Sequence, residues 1–359
     1  MKQVLFESQS LTQPRPFPEP LVLVGNPGPE HVGNHLRNAA QALHIPVRLC
    51  NSDLAYRAWS PIARFNWWLR SHRPTRLESF SREVIQQCSE THARCLLSTG
   101  LAPLDAETLQ VAGESSVVRM NFLTDDPWNP SHKASWFMRA LPRYDVVFSP
   151  RKANMEDLRR AGCDNVIYLP FAYEPEIHFP EPPSTAEEQE QYGSDVVFAG
   201  GADAERVPYL KAFIHAGFRV GLYGGYWGRY PETRPFDRGL ASAATLRKAV
   251  GAARIALCLV RRANRDGHAM RTYELAAMGA CILAEDTEEH REILGPDGVS
   301  AVYFRSIPEM LERSQELLRD DEWRHRLAGA VRTRICSQGN TYRDRLGAML
   351  EFAGVGTSL

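Results

Sequence analysis

The sequence predicts an α/β protein of two doubly wound halves, each an open, mostly parallel sheet, facing each other across a cleft. Three observations predict it. Short apolar runs alternate with helical patterns along most of the 359 residues. Glycine turns close several of those runs, and one stretch rich in Pro, Glu and Gln interrupts the alternation near the middle. A chain of this length is expected to hold roughly two domains.

The elements follow in order. After a leader, residues 1–20, punctuated by Pro14, Pro16, Pro18 and Pro20, the run Leu21–Val24 is stopped by Gly25, Gly28 and Pro29 and followed by an amphipathic stretch from His35 to Leu43. That order reads as strand, loop, helix. Further short strands are predicted at 46–49, 95–97, 117–120, 146–148 and 166–169, giving an N-terminal domain over 21–172. Residues 173–194 lack a periodic apolar face and read as a linker. The alternation then resumes over 195–335: a strand at 196–199 closed by Gly200-Gly201, another at 219–223 closed by Gly224-Gly225, then strands at 255–260 and 280–284. The last fifty residues read as helical, and the segment 336–359 is expected to return to the N-terminal domain. Open sheets bind ligands at the carboxyl ends of their strands, so the cleft is the expected site.

Composition narrows the class. A hydrophobic content of 43% and a net charge of -1 describe an ordinary globular chain, with no basic run that would seek nucleic acid. The seven cysteines, an odd number without framework spacing, fit reduced thiols in the cytoplasm. No signal-like segment or membrane-length apolar run is seen, so the protein is expected to stay inside the cell.

The richest segment is D-G-H-A-M-R-T-Y-E from Asp266 to Glu274, continuing L-A-A-M-G to Gly279. It places two carboxylates eight residues apart, ahead of a small-residue helix whose N-terminus would point partial positive charge at an anion. Arg271 beside Glu274 suits the joint grip of a phosphate and a ribose. Gly200-Gly201 followed by Arg206 reads either as a strand-end turn whose amides approach an anion or as a plain tight turn with a solvated arginine.

These residues resemble those of GT-B-fold glycosyltransferases, whose Glu, seven residues, Glu pattern is matched by Asp266 and Glu274, with Ala276, Ala277 and Gly279 following. The resemblance implies two Rossmann-like domains, Glu274 on the nucleotide ribose, Asp266 on the donor sugar and Arg206 on the diphosphate. Where that family often has an arginine after the glycine, this chain has Gly201, so Arg271 or Arg262 would share the load. A closer resemblance is to spore-maturation-type glycosyltransferases, through Arg271-Thr272-Tyr273-Glu274, Gly279, the segments 287–290 and 341–343, and Thr124-Asp125-Asp126-Pro127-Trp128-Asn129. The donor-side set is then Gly200, Gly201, Arg206, Tyr223, Arg262, His268, Arg271, Thr272 and Glu274, with Tyr223, Tyr226 and Trp227 read either as stacking faces for a nucleobase or as ordinary packing residues.

Asp125 and Asp126 invite three readings: a loop cap, a general base for an acceptor hydroxyl, or metal ligands, the last disfavoured by the missing D-x-D spacing. Gly25 and His31 sit on the first glycine-rich loop, on the acceptor side; it is not G-x-G-x-x-G, which disfavours a nicotinamide dehydrogenase. Cys88, His92 and Cys95 supply too few ligands for a structural metal. Arg64, Trp67, Trp68, Arg70 and Arg73 suit either a core-facing helix or weak peripheral contact with the inner face of a membrane.

The expected function is therefore transfer of a sugar, hexosyl in type, from a nucleotide-diphosphate-sugar to a hydroxyl of a carbohydrate, glycolipid or protein acceptor, in surface polysaccharide or glycoconjugate synthesis. No cofactor or metal is expected beyond the nucleotide-sugar as co-substrate. A nucleotide-sugar epimerase and a non-catalytic nucleotide-sugar binder are the alternatives.

Overall fold

A computed structural model describes residues 20–57, 71–352 and 354. The N-terminal domain runs β1 Leu21–Gly25, α1 Val32–Ala42, β2 Val47–Asn51, α2 Leu77–Glu90, β3 Cys95–Thr99, α3 Ala106–Glu114, β4 Val118–Phe122, α4 Ser135–Ala140, β5 Val146–Ser149, α5 Met155–Arg160 and β6 Val166–Tyr168. Its six strands are parallel in the order β2-β1-β3-β4-β5-β6. Both faces are covered, which is why the strands read as continuous apolar runs. Leu21 and Leu23 enter one core and Val22 and Val24 another, following the two-residue period of a strand.

After the linker the chain runs α6 Ala186–Tyr192, β7 Ser194–Ala199, α7 Val207–His215, β8 Val220–Tyr223, α8 Ala243–Ala252, β9 Ala253–Cys258, α9 Met270–Ala277, β10 Ile282–Glu285, α10 Glu288–Leu294, β11 Val302–Phe304, α11 Ile307–Arg319, α12 Asp321–Cys336 and α13 Tyr342–Phe352. These five strands are parallel in the order β11-β10-β9-β7-β8. Helix α13 lies against α1 of the first domain, held by Tyr342, Leu346, Met349 and Leu350, so one apolar layer runs through both domains.

Two elements differ from expectation. The linker contains α6, which buries no residue; it forms because Thr185 Oγ1 accepts from the Glu188 amide and Glu187 and Glu188 face the positive helix end. Strand β11 spans only Val302, Tyr303 and Phe304, too short a run to betray a period.

Each sheet reverses its winding beside its first strand. In the first domain the chain leaves β1 for β2 on one side and reaches β3 on the other, which opens a crevice between Gly25 and Thr99. The equivalent point in the second domain lies between the ends of β7 and β9, at Ala199 and Cys258. Glycine is required at the first point and beside the second, where the turn after β8 packs on the end of β7. A Cβ on Gly25 would stand 2.8 Å from Thr99 Oγ1 and 3.0 Å from Gly33 Cα, so α1 could not close on β1. Gly224, with φ +146°, brings its Cα over the Gly200 carbonyl, where a Cβ would fall 2.3 Å from the oxygen.

Candidate functional site

The first crevice opens into a cavity of about 430 Å³. Its polar lining includes Asn26, His31, Thr99, Asp125 and His132, and Met270 reaches it from the opposite domain. Local bonds set this wall. Asn26 Nδ2 donates to Asp53 Oδ2 at 2.9 Å, while its own Oδ1 accepts from the Gly28 amide at 2.7 Å, fixing the turn that presents the exposed His31. Thr124 Oγ1 donates to Asp125 Oδ2 at 3.4 Å, leaving Asp125 half-buried and facing the cavity.

The structure separates the two neighbouring aspartates. Asp126, expected with Asp125 as a catalytic residue and candidate base, is 1% exposed and accepts from Arg265 Nε at 2.6 Å and from the Trp128 amide at 3.0 Å. It is committed to a cross-domain ion pair and to its own loop. The same Arg265, held in left-handed backbone at φ 52°, also reaches Asp157 and donates to Asn154 Oδ1 at 3.0 Å. Beside it Asn129 Nδ2 donates to Asn264 Oδ1 at 2.6 Å, a second bond between the domains.

On the other wall, the Gly200 amide donates to the Tyr223 carbonyl at 2.8 Å and its own carbonyl accepts from Trp227 Nε1 at 2.8 Å, so Gly200 and Gly201 form a fixed turn at the end of β7. Asp203 Oδ1 accepts from the Arg206 amide at 2.9 Å, and Arg206 folds back to donate to the Gly201 carbonyl at 3.3 Å. Its Nε is buried without a partner. Burial, reinforced by Arg261, lowers the pKa of this guanidinium.

Helix α9 carries the other grip. Arg271 pairs with Glu274, whose side chain is 2% exposed and stands 3.7 Å from His178 Nε2. Burial alone would raise the Glu274 pKa, but Arg271, foremost, holds it below the usual carboxylate range. His35 stacks on Tyr342 with ring centres 4.8 Å apart, so Glu274 is enclosed by α1, the linker and α13. Asp266 pairs with Arg151 from the loop after β5, with the two side chains 3% and 7% exposed for Arg151 and Asp266. In this closed state neither it nor Glu274 lies open to a ligand, and each would have to exchange its arginine first. Burial pushes its pKa up, against the opposing pull of Arg151, Arg261 and Arg206.

Four donor-side expectations need correction. Arg262 is not free for phosphate: its Nη2 donates to Tyr209 Oη at 2.8 Å and Glu285 Oε1 at 2.9 Å. Tyr223 lies in the core, 5% exposed, and cannot stack on a base; Tyr226 is exposed, with the Arg229 guanidinium 4.1 Å from its ring centre. Helix α9 begins at Met270, and Thr272 is spent inside it: Oγ1 accepts from the Ala269 amide at 3.1 Å and donates to His290 Nε2 at 3.1 Å. That direction follows because His290 Nδ1 faces the Glu285 carbonyl at 2.7 Å, which can only accept. His268 is 1% exposed, and its Nε2 accepts from the Phe171 amide at 3.4 Å; burial keeps its pKa well below the ordinary value. Arg64, Trp67, Trp68 and Arg70 lie outside the described residues, while Arg73 pairs with Glu78 at 2.5 Å.

Sequence reasoning did not single out Arg151, Arg261, Arg265, His132 or His178. A positional signal existed for the first two: like Gly200 and Asp125, they follow the ends of parallel strands. Among the described residues no group of three or more His, Cys, Asp or Glu is placed to hold a metal.

The architecture is the GT-B fold of glycosyltransferase structures. The chain is similar to sucrose-phosphate synthase from Thermosynechococcus elongatus, at 12% identity and TM-score 0.66, covering 94% of this chain and 100% of that one. It is likewise similar to HepE of Anabaena in complex with UDP and glucose, at 11% identity and TM-score 0.61, covering 94% and 99%. A glycosyltransferase from Rickettsia africae aligns at 10% identity and TM-score 0.62, covering 96% and 100%. A glycosyl transferase-like family model matches residues 206–351, less than half of the chain. No curated protein matches significantly by sequence.

Proposed function

We propose that the chain is a metal-independent glycosyltransferase that moves a sugar, hexosyl in type, from a nucleotide-diphosphate-sugar to an acceptor hydroxyl. The observation that carries this reading is the juxtaposition of Asp125, in a cavity at one switch point, with the head of α9 across the cleft. A transferase needs two binding places and a proton acceptor between them, whereas an epimerase needs no acceptor cavity. The HepE structures in complex with UDP and with UDP-glucose support a nucleotide-sugar as the donor class.

In this mechanism Asp125 takes the proton of the acceptor hydroxyl as its oxygen bonds to the anomeric carbon. The bond from that carbon to the diphosphate breaks, and Arg206, Arg271 and the N-terminus of α9 stabilise the departing charge. Glu274 accepts hydrogen bonds from the ribose hydroxyls once Arg271 turns to phosphate. Gly200 and Gly201 shape the floor beneath the diphosphate, and Gly25 and His31 border the acceptor.

Within the fold class, Arg271-Thr272-Tyr273-Glu274 with Gly279 supports a place near the spore-maturation-type enzymes, acting in glycoconjugate or surface polysaccharide synthesis. No helix among the described residues is long and apolar enough to cross a membrane. We place the enzyme in the cytoplasm, with a lipid-linked acceptor bringing weak contact with the membrane's inner face.

The test is incubation with a panel of nucleotide-sugars, with and without saccharide, glycolipid and peptide acceptors, followed by product analysis. Acceptor-dependent release of nucleoside diphosphate with a glycosylated product is expected. Conversion of the donor sugar without acceptor would favour an epimerase, and binding without turnover a non-catalytic protein.

A further inference from the structure

We propose that Arg151, supplied by the N-terminal domain, is a ligand of the donor diphosphate, and that Asp266 holds the place of that anion in the ligand-free chain. The inference rests on the donor-site reading given above. Arg151 follows β5, and Asp266 lies in the loop between β9 and α9, so both stand where strand ends meet the cleft. Their ion pair joins the two domains, and both side chains are almost wholly buried, at 3% and 7% exposure.

Asp266 is not the counter-ion of Arg151 alone. Arg206 and Arg261 are both near enough to favour its ionised form, and each approaches Asp203, at 3.7 and 3.9 Å. Arg151, Arg206 and Arg261 thus gather around Asp266 and Asp203, with Arg261 and Asp203 partly open to solvent at 38% and 30% exposure. Arg206 also keeps a buried Nε–H without an acceptor. An unpaired buried donor on a cation is costly, and a cluster of guanidinium groups with an orphan donor is suited to a ligand carrying several anionic oxygens.

The loop around Asp266 is tied down on both sides. Arg265 is anchored to Asp126, and the Gly267 carbonyl accepts from Thr287 Oγ1. Exchange of carboxylate for diphosphate therefore needs only rotation of the Asp266 side chain, after which the phosphates face Arg151 from one domain and Arg206 from the other. Donor binding would then replace an ion pair between the domains with a phosphate bridge, with an arginine from each wall on one anion.

The test is calorimetric titration of the full chain with UDP, ADP, GDP and thymidine diphosphate, carrying forward whichever binds best. Asp266→Asn removes the internal competitor and is expected to tighten that nucleotide by about tenfold. Adding Arg151→Gln to Asp266→Asn is expected to weaken it again by about tenfold, since a charge-assisted phosphate contact is lost. The phosphate-free nucleoside should bind wild type and both variants alike, which a general loss of structure would not allow. Diphosphate affinity no tighter in Asp266→Asn, or equal in the single and double variants, would overturn the proposal. If the single variant fails to fold because Arg151 is left unpaired, nitrogen-15 NMR of wild type decides: the Arg151 Nε–H resonance, identified by its loss in the charge-neutral double variant, should move on adding the nucleotide, and an unmoved resonance overturns the proposal. Wild type that binds none of the four diphosphates would instead contradict the donor-site reading itself.

Discussion

The two walls of the cleft are built on the same plan and left in opposite states. At the β1/β3 switch point the side chains of Asp125 and His31 face a preformed cavity. Across from it, the charged groups after β9 are closed on partners: Arg262 on Glu285 of β10, Asp266 on Arg151 of the first domain, and Arg271 on Glu274 within α9. Under the proposed function, an acceptor would enter a space already present, whereas a donor would exchange its own charges for pairs the protein now makes internally. Pairs of that kind hold a buried site together until a ligand with better-placed oxygens replaces one partner.

The sharpest way to break the comparison lies in the adjacent aspartates. Asp125→Asn is expected to lower kcat by about a thousandfold, the range of a lost general base, with nucleoside diphosphate affinity unchanged. Asp126→Asn should leave kcat within a fewfold while costing about 1 to 2 kcal/mol in urea unfolding, because its partner Arg265 is partly exposed and partly screened. Equal kcat losses in the two variants would erase the distinction between them. Next in size, Glu274→Gln is expected to weaken nucleoside diphosphate binding by about tenfold to a hundredfold, through the loss of charge-assisted bonds to ribose, with little effect on acceptor KM. Unchanged nucleotide affinity would remove Glu274 from the donor wall.

A smaller and more general effect concerns pH. Burial lowers the pKa of His35 and of His290 to about 4 in the folded chain. In the unfolded chain a histidine takes its proton near pH 6.5, so between that value and about 4 the unfolded state binds more protons and stability falls as pH falls. At pH 5 each of the two should cost about 2 kcal/mol relative to pH 7.5, and replacing either with Gln should flatten the dependence seen in urea unfolding. A stability that rose on acidification would contradict their buried neutral state. Smallest of all, Arg262→Ala is expected to change nucleoside diphosphate affinity by less than about threefold, since this arginine already serves Glu285 and Tyr209. A loss as large as that of Glu274→Gln would return it to the phosphate site.

Although the edge strands β2 and β6 are only partly buried, much of the fold was legible because its inner strands are largely buried on both faces. Leu21–Gly25 is the clearest case. β11 was not legible, since three residues carry no period, nor was α6, whose stability comes from a cap and acidic first turn without any apolar face. Within the site, Arg271 and Glu274 were read together because they stand three residues apart on one helix, where the structure pairs them. Pairings across the cleft were not found. Arg151 and Asp266 are 115 residues apart and Asp126 and Arg265 are 139 apart, so which aspartate is spent on structure depends on how the two domains meet. Local chemistry also misled: Tyr223 and Thr272 are of types that contact ligands, but one fills the core and the other caps its own helix.

The central claim is that donor and acceptor occupy opposite walls, with the nucleotide on the second domain. The most direct measurement is a crystal structure of the chain with the nucleoside diphosphate it binds best. Phosphates against the Gly200-Gly201 turn and Arg206, with the ribose hydroxyls on Glu274 and the cavity beside Asp125 left open, are the result expected. A nucleotide seated in the Asp125 cavity, with Arg271 still closed on Glu274, would contradict the account.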